Sequence, residues 1–353
     1  MGETDGDDES CTEAMVVEKA REPQCPTQDE RTQHEYTHLP YRSWCKFCVM
    51  GRGRQEPHMK AKHDSENEMP EISIDYAFPA SVEDVGVTVL VARDRRTRMT
   101  CSTVVPRKGT TGAFAARRLN AFLREIGADQ VDVIMKSDGE AAIKAVIDDV
   151  AALRPTVRPI REEAPRGSSA SNGIVERATQ SVTAQVKVLK LWLESKWLRK
   201  IPDDHPAITW LVEYASVLLN RCEISKDGAT TYKRLKGKDG TIKGIAFGEM
   251  VMFRQKPVPN RLAKLTTLWE EGVYLGMRTV SGEMIVGTAS GVWRTRTVQR
   301  RPADERWHPK AADMVGGVPW RTSDDDDEMD GPSVRMTFGR AANRRGSAGT
   351  DRA

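Results

Sequence analysis

The switching of hydrophobic period between residues 71 and 196 constrains this chain more than any other feature. EISIDYAF (71–78), VGVTVLVARD (85–94) and RMTCSTVVP (98–106) read as three consecutive strands. Their short connections, one of them the charged RDRRTR, predict an antiparallel meander. TGAFAARRLNAFLREIG (111–127) reads as a helix stopped by Gly127. VDVIMKS (131–137) is a buried-type strand, EAAIKAVIDDVAALR (140–154) an amphipathic helix closed by Pro155, and TVRPI (156–160) a short strand. RGSSASNG (166–173) reads as a flexible loop that feeds a long helix from about 174 to 196. The resulting order, β-β-β-α-β-α-β-α, predicts an α/β core around a mixed sheet.

Three carboxylates stand out against that frame. Asp75 interrupts the first strand, in a run read as otherwise apolar on its side (Ile72, Ile74, Tyr76). A charge inside a core strand is costly unless it is paired or bound to metal. Asp138 sits where a strand meets a helix, at the strand end where α/β folds place ligands. Glu176 lies early in the long helix. Val175, Ala178, Val182, Val186, Leu189 and Leu193 form that helix's apolar stripe. Asn172, Glu176, Thr179, Thr183, Lys187 and Lys190 form a polar stripe on a different face, which aims Glu176 toward Asp75 and Asp138. Plainer roles exist: Asp138 could cap the following helix, and Glu176 could be a solvated charge favoured by the helix dipole. Together the three offer the oxygen ligands that two Mg²⁺ or Mn²⁺ ions need for phosphodiester chemistry. Asp75 would bridge the ions, with Asp138 on one and Glu176 on the other.

A second metal site is legible nearby. His34, His38, Cys45 and Cys48 form H-x3-H-x6-C-x2-C, suited to a structural, tetrahedral Zn²⁺ site. Two histidines on one helical face and a Cys-x-x-Cys hairpin would supply it, and His58 or His63 could replace one histidine. The chain has 6 cysteines. The N-terminus is acidic and has no apolar core, so it does not read as a secretory signal, and a disulfide framework is not expected.

The net charge is only +3, but it is unevenly spread. Residues 1–31 carry ten Asp/Glu against three Lys/Arg and read as a disordered acidic tail. A zinc-binding module is expected over 32–66, the α/β core over 67–200 and a helical extension over 201–240. Between 245 and 310 the short strands FGEMVMF, GVYLGM, EMIVGT and VWRTRTVQ predict a small β-barrel. Residues 311–353 read as a second disordered tail. Between the acidic tails the chain is basic, as a partner of phosphate backbones would be. No stretch is apolar for the roughly 18 residues that a membrane helix needs.

KSDGE (136–140) and PRGSSASNGIVERATQ (165–180) resemble the retroviral and retrotransposon integrase core, of the Ty1/copia type in particular. The resemblance covers roughly residues 34–310. The family's catalytic Asp, Asp and Glu fall on Asp75, Asp138 and Glu176, the last two separated by 37 residues. Ser171-Asn172-Gly173-x-x-Glu176-Arg177 is the most specific match. The gap between His38 and Cys45 is shorter than in retroviral integrases. The resemblance implies a ribonuclease-H-like core, an N-terminal His/Cys zinc module and a small SH3-like C-terminal domain. It also implies 3′-end processing and strand transfer, element-end and target DNA as partners, a homo-oligomer, and a nuclear location with a cytoplasmic stage. Asn172, Lys187, Arg294 and Arg296 are then the expected DNA contacts. The other readings are an inactive or domesticated DNA-binding derivative, a different ribonuclease-H-like nuclease, and a zinc-dependent structural protein.

Overall fold

The computed structural model describes residues 25–53, 69–77, 87–109, 113–163, 169–254 and 267–321. Its first layer is built on β1 (Glu71–Ala77), β2 (Thr88–Asp94) and β3 (Thr100–Val105), which pair antiparallel in sequence order. Helix α3 (Phe114–Glu125) then crosses over to β4 (Val133–Ser137), and α4 (Ala141–Ala152) to β5 (Pro159–Glu163). Both later strands run parallel, β4 beside β1 and β5 beside β4, giving the order β3-β2-β1-β4-β5. A parallel neighbour requires a crossover, so each helix follows from the strand direction. This is the ribonuclease-H-like mixed sheet that the element order predicts. The last strand lies at 159–163 rather than 156–160, and Pro159 takes the first position of this edge strand, where its missing N–H does no harm.

Two apolar cores flank the sheet. Ile72, Ile74, Tyr76, Leu90 and Ala92 pack against α3 and α4. Ala77, Val89, Val91 and Val104 point the other way, toward α5 (Ser169–Trp197) and α6 (Pro206–Cys222). The six-residue apolar stripe read in the long helix is entirely buried. Fully burying one such side chain contributes about 1.5–3 kcal/mol, so the stripe fixes the rotation of α5. Helix α5 begins at Ser169, inside the segment expected to be a loop; residues 164–168 lie outside the described set.

The N- and C-terminal parts pack on the same helix. Helix α1 (Gln28–Thr37) starts inside the expected 1–31 tail, because Thr27 and Glu30 form a capping box there. Helix α2 (Lys46–Arg52) lies on α5: a Cβ on Gly51 would stand 2.3 Å from Val188 Cγ2 and 2.9 Å from the Val188 nitrogen. Beyond α6, a short α7 (Thr231–Lys236) precedes a second, all-antiparallel sheet. It comprises β6 (Met250–Arg254), β7 (Trp269–Met277), β8 (Met284–Thr288), β9 (Gly291–Thr295) and β10 (Val298–Arg300), in the order β10-β6-β7-β8-β9. Strands β9 and β10 hold opposite edges yet are joined only by Arg296 and Thr297, so the sheet curls on itself. The chain stays packed to Arg321, with Ala311, Ala312, Val315 and Val318 buried, which moves the start of the expected tail from 311 to beyond 321.

Candidate functional site

The paired registers of the first sheet bring two of the carboxylates together. Ile72 pairs with Met135 and Ser73 with Lys136; two residues further on, the same register sets Asp75 level with Asp138. Adjacent strands lie about 4.8 Å apart, so both carboxyls start from one end of the sheet. Period-two geometry also corrects the sequence reading of Asp75. Ile72, Ile74 and Tyr76 face the α3/α4 core, whereas Ser73, Asp75 and Ala77 face α5. Asp75 therefore does not share a face with Ile72, Ile74 and Tyr76; its cross-strand neighbour on the α5 face is Val91. Asp75 is a half-buried carboxylate facing the helix that carries Glu176.

Asp75 Oδ1 accepts a 2.8 Å hydrogen bond from its neighbour's amide, Tyr76 N–H. Even so, burial pushes its carboxyl up to about 6, and the negative charges of Asp138, Glu140 and Glu176 add to the rise. Like charges held near one carboxylate are what a bound cation would relieve, and the all-oxygen set suits a hard one such as Mg²⁺ or Mn²⁺. Asp138 is exposed, and its Oδ1 accepts from Glu140 N–H at 3.0 Å. The N-cap of α4 is Glu140, so Asp138 shapes the turn before the helix rather than capping it. Gly139 makes this turn possible, with φ +83°. Glu176 is exposed on α5.

Sequence reasoning missed Glu140. Its Oε1 accepts from Lys108 Nζ at 2.5 Å, and Lys108 lies 5.2 Å over the Tyr76 ring. The Tyr76 hydroxyl in turn accepts from Gly109 N–H at 3.1 Å. A Lys108–Glu140 pair thus walls the site on the α4 side. The only available signal was the second acid in Asp138-Gly-Glu140.

Four ligand atoms converge at the N-terminal module. His34, His38, Cys45 and Cys48 are all buried, with one ligand atom of each within 4.8 Å of all the others. Among the described residues, no other group of three or more His, Cys, Asp or Glu is drawn together this closely. His34 Nε2 lies 3.2 Å from Cys48 Sγ, and His38 Nδ1 lies 3.5 Å from Cys45 Sγ. A tetrahedral Zn²⁺ with Zn–S of ~2.3 Å and Zn–N of ~2.0–2.1 Å needs N···S edges of about 3.6 Å. The cluster could therefore hold zinc. The hydrogen bond between the two thiols lowers Cys45 and raises Cys48 together, so it favours one thiolate and not two; burial lowers His38, which favours its metal-binding neutral form. The expected hairpin is absent. His38 caps α1 in the left-handed region (φ 52°), and Cys45-x-x-Cys48 spans the first turn of α2. His58 and His63 lie outside the described residues.

The expected DNA contacts separate. Asn172 lies in α5, but its side chain is outside the described set. Lys187 is exposed and lines an open cleft of about 560 Å³ with Met50, Lys190, Leu191, Glu194, Lys200, Ile201 and Pro202. Arg294 is half-buried on β9 opposite Ile285. Arg296 falls beyond the end of β9, so the two do not share a strand face; it pairs with Glu283 at 3.7 Å. Arg300 and Arg301 are likewise held in ion pairs with Glu249 and with Glu271 and Glu305.

No protein-family model matches the chain, and no curated protein matches it. Among solved structures it is similar to a chain of the simian T-cell lymphotropic virus intasome in complex with PP2A regulatory subunit B56 gamma. That likeness has 13% identity, covers 73% of this chain and 88% of the other, and has a TM-score of 0.38. The catalytic core domain of BIV integrase is similar at 17% identity over 47% of this chain and 92% of its own, with a TM-score of 0.31. The HTLV-2 integrase catalytic core domain in complex with magnesium, in a trimeric form, is similar at 13% identity over 47% and 97%, with a TM-score of 0.33. Among the described residues, no helix is long and apolar enough to cross a membrane.

Proposed function

We propose that the chain is an integrase of the retrotransposon, Ty1/copia-like type, a metal-dependent polynucleotidyl transferase that trims 3′ ends of element DNA and joins them to target DNA in the nucleus. One observation carries the reading: Asp75, Asp138 and Glu176 interact electrostatically at one end of a ribonuclease-H-like sheet. Two Mg²⁺ or Mn²⁺ ions held there would stabilise the attacking and leaving oxygens of a phosphodiester. Asp75, on the central strand β1, would bridge the ions, with Asp138 and Glu176 flanking. The chain's own residues keep Asp75 on the α5 face, fix Asp138 through the Gly139 turn, and pair Lys108 with Glu140. The module of α1 and α2 would hold one structural Zn²⁺, and the working form would be a homo-oligomer on paired DNA ends.

Strand transfer of an element-end oligonucleotide in Mg²⁺ or Mn²⁺ tests this. Asp138→Asn should abolish transfer and leave DNA binding intact; activity retained in that variant sinks the assignment. A second reading, an inactive DNA-binding derivative, is favoured by one feature. Among the described residues the trio's oxygens are not drawn together as the His/Cys ligands are. A wild-type chain that binds DNA but never cuts or joins it would decide for that reading.

A further inference from the structure

Arg93 stands opposite Ser73 in the antiparallel register of β1 and β2. Its side chain therefore leaves the Asp75 face of the sheet, two residues along from that carboxylate. Its Nε is buried without a hydrogen-bond partner, and the hydroxyl of Ser73 beside it is buried and unpartnered as well. Among the described residues Arg93 has no ion pair.

The charges that act on it make this more unusual. Arg98 from the β2–β3 turn, Arg177 from α5 and Arg234 from α7 all act on Arg93, against a single carboxylate, Glu223. That carboxylate already holds Arg52 at 2.7 Å. Arg234 spends Nε and Nη2 on Asp227, but its Nη1 is buried without a partner. Burial, with these like charges added, pushes Arg93 down to about 10. A partly buried guanidinium among other arginines is costly unless something negative completes it. Phosphate oxygens match the guanidinium fork and accept several charge-assisted bonds at once.

We propose that Arg93, Arg98, Arg177 and Arg234 line an anion pocket on the Asp75 face of the sheet that takes one backbone phosphate of a bound DNA strand. The assignment of DNA rests on the integrase reading; Arg93 stands opposite Ser73, two residues from Asp75 on the same face, which sets the pocket beside that carboxylate. Such a contact positions a strand and reads no sequence.

The test uses the full chain and a short fluorescein-labelled DNA duplex, with anisotropy measured across ~50–200 mM KCl. Arg93→Gln and Arg177→Gln should each weaken binding about tenfold and lower the slope of log K against log salt by about 1. Lys243→Gln, an exposed control, should change neither. Arg93→Gln should also melt at or above the wild-type temperature without DNA, since it loses an unpaired charge. Wild-type affinity and slope in both arginine variants would overturn the proposal. So would a lower melting temperature in Arg93→Gln with unchanged binding, which marks a merely structural arginine. If Arg93→Gln does not fold, the surface variant Arg177→Gln decides. If the wild-type chain binds no duplex, the integrase reading fails, and inorganic pyrophosphate decides the pocket. Pyrophosphate that raises the melting temperature of wild type but not of Arg177→Gln supports the pocket; no effect on either overturns it.

Discussion

Arg300 holds Glu249 through two parallel hydrogen bonds, Nε to Oε1 at 2.6 Å and Nη2 to Oε2 at 2.9 Å, and the carboxylate it holds is fully buried. The third nitrogen of Arg300 donates to the Tyr36 hydroxyl at 3.1 Å. Glu249 Oε2 also accepts from Ala246 N–H at 3.2 Å, and Arg306 lies 3.6 Å from Oε1. One carboxylate therefore joins the curled sheet to α1, the helix that bears His34.

Glu249→Ala should destabilise the chain by about 3 kcal/mol, the low end for breaking a buried pair. The low end applies because both arginines are about a third exposed and regain water. Glu249→Gln should lose less, since its amide oxygen still serves Ala246 N–H. Urea unfolding measures both, and a loss below about 1 kcal/mol for Ala would show that water replaces the carboxylate.

Zinc content makes a separate prediction. The ligand atoms come from α1, its cap and α2, and Cys45 and Cys48 pack on Val188 of α5. Gln185 Nε2 adds a buried 2.7 Å bond to the Thr37 carbonyl. Elemental analysis should find one zinc per chain, and Cys48→Ser should remove it. Chelation should lower the melting temperature by about 5 °C or more, because metal binding and folding of such a module are one equilibrium. A metal-free chain with an unchanged melting point would refute the site.

Much of this was legible in the sequence because it depends on period. The stripe from Val175 to Leu193 is a 3.6-residue pattern, and all six members are buried. The four zinc ligands are close in sequence, so their spacing groups them, but it suggested a hairpin where Cys45-x-x-Cys48 opens a helix. What could not be read depends on partners distant in sequence. Whether Asp75 faces α3 or α5 is set by which face of β1 each helix covers, and the run Ile72–Tyr76 does not say. Arg296 was expected on DNA because Glu283, which pairs with it, lies on the far side of β8 and β9 in the sequence. Ser169–Gly173 looked like a loop from its Ser and Gly content; helix α5 carries it because the packed stripe behind it outweighs local propensity.

The contact of α2 with α5 tolerates no side chain. A Cβ on Gly51 would fall inside the contact distance of the Val188 side chain and of its backbone nitrogen, which cannot move without moving α5. Gly51→Ala should therefore cost about 1–3 kcal/mol, the range for overpacking, although alanine is the better helix former. An equal or raised stability in urea would show that α2 does not rest on α5.

His205 gives the chain a pH dependence whose sign is fixed by its cap. Its Nδ1 accepts from Ala207 N–H at 3.1 Å at the start of α6, which only the unprotonated ring can do. Burial, and then the charge of Arg199, hold its pKa below the ordinary 6.5, with a hydrogen bond to the Ala312 backbone and the charges of Asp313 and Asp204 opposing. The unfolded chain thus binds the proton more readily than the native one. Stability is intact above about pH 6.5 and falls as the pH drops through that value toward the lower native pKa. Asn is an equally good cap that does not titrate. Between pH 7.5 and pH 5, wild type should lose about 1 kcal/mol, the worth of one N-cap, beyond whatever His205→Asn loses. Urea midpoints of the two proteins at both pH values give the difference directly. Parallel losses would mean that His205 keeps its proton state across the window and that the cap is not the titrating element.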